Sequence, residues 1–161
     1  MVVLGIDPGS RVTGYAVLTR KGARFQLLEG GIIKTNTKSE MQYRLMEIHT
    51  GLTEIIKQFN PTSAGIESVF HHHSSESTIR LGQARGVALL ALAQNNIPSA
   101  PYNPMTVKKS VGGHGRASKN DMIRIVSRLL GLSKDLRSDA ADAAAIAITH
   151  LMHSEFQRRL K

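Results

Sequence analysis

Apolar positions follow two rhythms along this chain. They are nearly continuous from Val2 to Ile6 and recur in β-branched and aliphatic runs through residues 12–19 and 24–35, which predicts three strands at 2–7, 12–19 and 24–35. Pro8-Gly9 and Lys21-Gly22 supply turn chemistry between them, so the three read as an antiparallel meander. The rhythm then becomes helical. Met41, Leu45, Ile48, Leu52, Ile55, Ile56 and Phe59 follow Ser39-Glu40-Met41-Gln42, which has the form of a capping box, and Pro61 closes that helix. Residues 63–68 read as a fourth strand. Glu76 to Asn95 reads as a second helix whose Gly82 and Gly86 cost helix stability and so point to close approach by another backbone or a ligand. Prolines at 98 and 101 place a fifth strand, 97–102, at a sheet edge. Asn103-Pro104 opens a short helix through Lys108 and Lys109, Ser118-x-x-Asp121 caps another that Gly131 ends, and Ser138 is the expected N-cap of an alanine-rich final helix. The expectation is an α/β domain, a mixed sheet flanked by helices, over residues 1–155, with a short basic tail at 156–161.

Composition narrows the classes. A chain of 161 residues with 41% hydrophobic content fits one domain with a proper core. The absence of cysteine excludes a disulfide framework, a cysteine-based zinc site and a thiol nucleophile. No apolar run is long enough to span a bilayer and no basic-then-hydrophobic N-terminal segment occurs, so the expected setting is the cytoplasm. Lys and Arg number 21 against 12 acids, for a net charge of +9, spread along the chain. A folded basic face of this kind suits a polyanion, most commonly nucleic acid.

Against that charge, four acids stand out. Asp7 and Glu67 each end an apolar strand, where an α/β sheet builds its sites, and Asp139 and Asp142 share one face at the start of the final helix. Each has a plainer reading: Asp7 as a turn cap, the two helix aspartates as favourable charge–dipole placement. Together in a basic protein they suggest a divalent-cation site, because clustered carboxylates repel and hard oxygen ligands favour magnesium or manganese over zinc. Two such ions serve phosphoryl displacement, so the residues read as a metal-dependent nuclease. Phe70, beside Glu67, suits ordinary packing and base stacking equally. His71-His72-His73 is read as a solvated loop, since consecutive residues rarely converge on one ion. Val111-Gly112-Gly113-His114-Gly115-Arg116-Ala117-Ser118-Lys119 reads as a flexible basic loop that lacks Walker spacing.

The blocks Gly5-Ile6-Asp7-Pro8-Gly9-Ser10, Gly65-Ile66-Glu67-Ser68-Val69-Phe70, Leu81-Gly82-Gln83-Ala84-Arg85-Gly86 and Asp139-Ala140-Ala141-Asp142-Ala143 resemble, in order and spacing, the bacterial RuvC family of Holliday-junction resolvases. The resemblance implies an RNase H-like fold with a five-stranded mixed sheet. It implies a homodimeric endodeoxyribonuclease that resolves four-way junctions by paired symmetric nicks in recombination and repair. By position, Asp7, Glu67, Asp139 and Asp142 would be the catalytic carboxylates holding two Mg2+ ions, with Mn2+ as substitute. Lys108 and Lys119 would contact DNA near the scissile phosphate and Phe70 would stack on junction bases; Arg116, a cation of the basic loop, is read as part of the DNA face. RuvA and RuvB, the branch-migration machinery, would be partners. Two rivals share the opening strand–Asp–turn: an RNase H-like nuclease acting on RNA, and a sugar-kinase or actin-like ATPase module, which needs a second lobe this length does not supply. A pure junction-binding module would not need the paired acids.

Overall fold

The computed structural model describes residues 1–68, 75–113 and 117–159 and contains one five-stranded sheet. Strands β1 (Val2–Asp7), β2 (Val12–Lys21) and β3 (Arg24–Lys34) form the antiparallel meander. Helix α1 (Met41–Phe59) crosses to β4 (Ser63–Glu67), which pairs parallel to β1. Helix α2 (Ser75–Gln94) crosses to β5 (Ser99–Tyr102), parallel to β4 and at the edge of the order β3-β2-β1-β4-β5. Helices α3 (Pro104–Gly112), α4 (Lys119–Leu129) and α5 (Ser138–Arg159) complete the chain. Among the described residues no helix is long and apolar enough to cross a membrane.

Strand alternation sorts the core into two halves. Leu4, Ile6, Val17, Ala64 and Ile66 point to one side, where Ile48, Leu52, Ile55 and Ile56 of α1 and Ala84, Ala88, Ala91 and Leu92 of α2 cover them. Val3, Ala16 and Leu18 point to the other side, beneath α3, α4 and the alanine run of α5. The same alternation puts Gly5 and Asp7, and Gly65 and Glu67, on the α5 side.

Small residues let α5 lie directly on the sheet. A Cβ at Gly14 would sit 2.1 Å from the Asp139 carbonyl, one at Gly5 2.1 Å from the Ala143 carbonyl, and one at Gly65 3.0 Å from Ile146 and 3.1 Å from His150. Three neighbouring strands thus contribute one glycine each to a diagonal groove, and α5 fills it.

Several local expectations need correction. Helix α1 starts one residue later than a Ser39 cap requires: Glu40 is the N-cap, without a side-chain cap, and its carbonyl accepts from Tyr43 and Arg44. Ser138 lies within α5, its buried hydroxyl has no hydrogen-bond partner, and the Arg137 carbonyl accepts from Ala141 instead. Val111 and Gly112 belong to α3 and Lys119 to α4, so the expected basic loop is shorter than its glycines suggest. No other part of the described chain comes within 4 Å of a Cβ placed at Gly82 or Gly86. The expected caps at Asn103 and Ser118 both form, the second as a full capping box with Asp121. Helix α5 runs unbroken to Arg159, through the first residues of the expected tail.

Candidate active site

Asp7 and Glu67 end β1 and β4, the two central parallel strands, and their side chains share the α5 face. The glycine groove brings the first turns of α5 down to that edge, and with them Asp139 and Asp142. A cavity of about 140 Å³ opens there, lined by Asp7, Glu67 and Asp142, by Lys108 of α3, and by an apolar wall that includes Val107, Met122 and Ile146. Asp139 is not part of that lining. It is nonetheless close enough to act electrically on Asp7 and Asp142.

The electrostatics are those of crowded carboxylates. Asp7 is pushed up to about 9, first by burial, then by the charge of Glu67 and a hydrogen bond with it, then by Asp142 and Asp139. Asp142 also lies above its ordinary value, because burial outweighs the opposing charge of Lys119. Lys119 Nζ sits 3.3 Å from Asp142 Oδ2, and although burial acts against its charge, Asp142, Asp139 and Asp7 together hold its pKa above the usual lysine value.

Two arginines that the sequence reading left without a role hold the strand ends in place. Buried Arg44 of α1 donates to the Ser10 carbonyl and, at 3.3 Å, to Thr35 Oγ1; Thr35 Oγ1 in turn donates to the Ser10 carbonyl at 2.8 Å. This clamps the turn that follows Asp7. Arg85 Nε donates to the Glu67 carbonyl at 3.0 Å, clamping the end of β4. Arg44 was detectable as a cation on the apolar stripe of α1, one turn before Ile48.

A profile of the family described as "Crossover junction endodeoxyribonuclease RuvC" matches residues 3–150. The chain belongs to the RuvC family. It is accordingly a crossover junction endodeoxyribonuclease, a nuclease of DNA recombination and repair that resolves Holliday junctions. RuvC of Histophilus somni is 46% identical over 158 residues, covering 97% of this chain and 83% of that one. The RuvC fold is matched equally in three dimensions. Thermus thermophilus RuvC, solved in complex with Holliday junction substrate, superposes with a TM-score of 0.93 at 36% identity, covering 98% of this chain and 96% of that one. The yeast mitochondrial Holliday junction resolvase Ydc2 shares the fold, with a TM-score of 0.66 at 16% identity, covering 99% of this chain and 84% of that one.

Of the expected RuvC site residues, Asp7, Glu67, Asp142 and Lys108 meet at the cavity, Lys119 pairs with Asp142, and Asp139 acts electrically on Asp7 and Asp142. Phe70 and Arg116, like His71–His73 and His114, lie outside the described residues.

The donor chemistry fits hard divalent cations: three cavity-lining carboxylates, no thiolate, and mutual repulsion that a cation relieves. Among the described residues no three such side chains already converge as a finished cage. Lys119 holds one Asp142 oxygen, and Asp7 and Glu67 share a hydrogen bond.

Proposed function

We propose that this RuvC cleaves the two symmetry-related strands of a four-way junction by divalent-cation-assisted phosphodiester hydrolysis, with Asp7, Glu67, Asp139 and Asp142 as the metal-binding catalytic carboxylates. The observation that carries this is the convergence of Asp7, Glu67 and Asp142 on one cavity at the sheet edge. Burial first, and then the three neighbouring acids, hold the Asp7 carboxyl above its ordinary value, a crowding that divalent cations relieve. Two Mg2+ ions, or Mn2+ in their place, would stabilise charge on the attacking and leaving oxygens.

The chain's own residues have separable tasks. Asp7, on the central strand and acted on by all three other acids, is the carboxylate that would serve both ions. Lys108 projects into the cavity from α3, where it is placed to contact a phosphate oxygen beside the scissile bond. Lys119 pairs with Asp142 and would be free to contact the DNA backbone if that carboxylate held a cation. The apolar wall of Val107, Met122 and Ile146 excludes water from the far side, leaving the open side for the strand.

Paired nicks need two active sites, which supports a homodimer. The outer face of α2 offers the surface: Ile79 is 61% and Leu90 50% exposed, and Gly82 and Gly86 between them leave room for close helix approach. Phe70 is assigned to junction contacts by family position, and Arg116 to the DNA face as a cation of the basic loop. The RuvA–RuvB machinery as partner and a cytoplasmic setting follow from the same family reading.

The test separates binding from cleavage. Asp7→Asn is expected to bind a four-way junction as wild type does while cleaving it at least a thousandfold more slowly, an estimate of roughly 4 kcal/mol in the barrier. Wild-type cleavage by that variant would overturn the assignment of the four acids.

A further inference from the structure

Helix α5 presents a smooth face to the sheet. Ala143, Ala144 and Ala147 are fully buried, and the groove beneath carries Gly14, Gly5 and Gly65. Such contacts set how closely the helix sits, but apart from Ile146 over Gly65, alanine against glycine offers few projections to stop it sliding along its axis. A slide by one residue's rise, about 1.5 Å, would carry Asp139 and Asp142 out of step with Asp7 and Glu67.

One directional contact interrupts the smooth interface about two turns beyond Asp142. His150 Nδ1 lies 2.9 Å from the Tyr102 hydroxyl, and its Nε2 lies 2.9 Å from Ser63 Oγ. The ring is only 6% exposed, and its edge-to-face contact with Tyr102 brings the centroids to 5.8 Å. Burial, then the neighbouring His153, lowers its pKa and so favours the neutral ring, in which one nitrogen donates and the other accepts. Both hydrogen-bonding positions are used. None of the three residues lines the carboxylate cavity, so the chemistry described above leaves them without a task.

We infer that the Tyr102–His150–Ser63 bridge sets the axial position of α5 on the sheet, making His150 a positioning residue for the cluster of Asp7, Glu67 and Asp142. The far ends of the bridge are tied to the same cluster. Ser63 lies on β4, four residues and the same face from Glu67. Tyr102 is registered beside Glu67, and its carbonyl accepts from the Ser68 amide at 2.8 Å. The next residue, Asn103, caps the helix that carries Lys108. A buried polar bridge whose every partner is satisfied defines one arrangement where apolar packing alone permits several. The inference rests on reading the acids as a cation site.

The experiment is a calorimetric Mn2+ titration of the full chain without DNA, with thermal melting alongside. It compares wild type with Asp7→Asn, His150→Leu, His150→Gln and Tyr102→Phe. His150→Leu and Tyr102→Phe are expected to weaken Mn2+ binding about tenfold, the usual scale for residues that orient ligands from outside the coordination sphere. His150→Gln, whose amide still donates and accepts, is expected to recover most of the loss. Tyr102→Phe keeps the ring volume and carries the test if His150→Leu folds poorly. Unchanged Mn2+ affinity in Tyr102→Phe, with only a lower melting temperature, would overturn the positioning role and leave the cation site standing. Wild type that binds no Mn2+, or binds it no better than Asp7→Asn, would overturn the cation reading and this inference with it.

Discussion

Asp7 shows at the scale of one residue how a working site strains the protein that holds it. Between the ordinary carboxylate value of 3.8 and about 9, the native metal-free chain retains a proton that the unfolded chain has released. Bound protons in excess in the native state make stability fall as pH rises through that window. Asp7→Asn removes the titration and its repulsions. It is therefore expected to stabilise the metal-free protein at pH 8 by roughly 1–3 kcal/mol while abolishing cleavage. Thermal melting with a chelator at pH 5 and pH 8 checks this: the gain should shrink at the lower pH, and a loss of stability at pH 8 would contradict it. Lys119 gives a second test at this scale. Lys119→Ala should flatten the plot of log junction affinity against log salt by about 0.9, one phosphate contact's worth, and an unchanged slope would remove Lys119 from the DNA face.

The arrangement of whole elements depends on residues that carry no charge. Gly5 and Gly14 admit α5 to the sheet, and a methyl group at either would meet helix backbone at 2.1 Å, which cannot be accommodated without moving the helix. Gly5→Ala is expected to cost about 1–3 kcal/mol in unfolding free energy and to suppress cleavage far beyond that loss, since α5 carries two of the four acids. A variant with lowered stability and normal cleavage would show that the carboxylates tolerate a shifted helix. Arg44→Met should cost about 1–3 kcal/mol, measured by denaturant unfolding, because the Ser10 carbonyl loses a buried donor. These elements also mark what was legible in the chain. Strands β1 to β5, the caps at Asn103 and Ser118, and Asp7 and Glu67 at strand ends announced themselves through period and position. The start of α1 did not, because Glu40 serves as N-cap through its backbone alone. Ser138 misled for the complementary reason: a residue type that favours caps sits inside the helix with its hydroxyl unpartnered. The glycine groove was unreadable because Gly5, Gly14 and Gly65 are far apart in sequence, and only strand register sets them in line. Arg85 likewise meets the Glu67 carbonyl across 18 residues, a pairing no local pattern encodes.

The whole molecule joins a basic surface to an acidic cleft. A net charge of +9 draws the polyanion in, and the proposed catalytic carboxylates gather at one edge of the sheet. On the proposed reading, paired nicking depends on a second copy against α2. Ile79→Asp, which puts a charge on the outer face of that helix, should convert a dimer to a monomer in sedimentation and uncouple the two nicks while each subunit keeps its fold. A variant that sediments as wild type does would place the dimer contact elsewhere. The most direct measurement is cleavage of a four-way junction by the purified protein with Mg2+, with nick positions mapped on all strands. Linear duplex and an RNA–DNA hybrid of matched length run beside it. Two nicks are expected at symmetry-related positions on the junction, none on the other substrates, and no product once the cation is chelated. Cleavage confined to the hybrid, or junction cleavage that persists in chelator, would contradict that expectation.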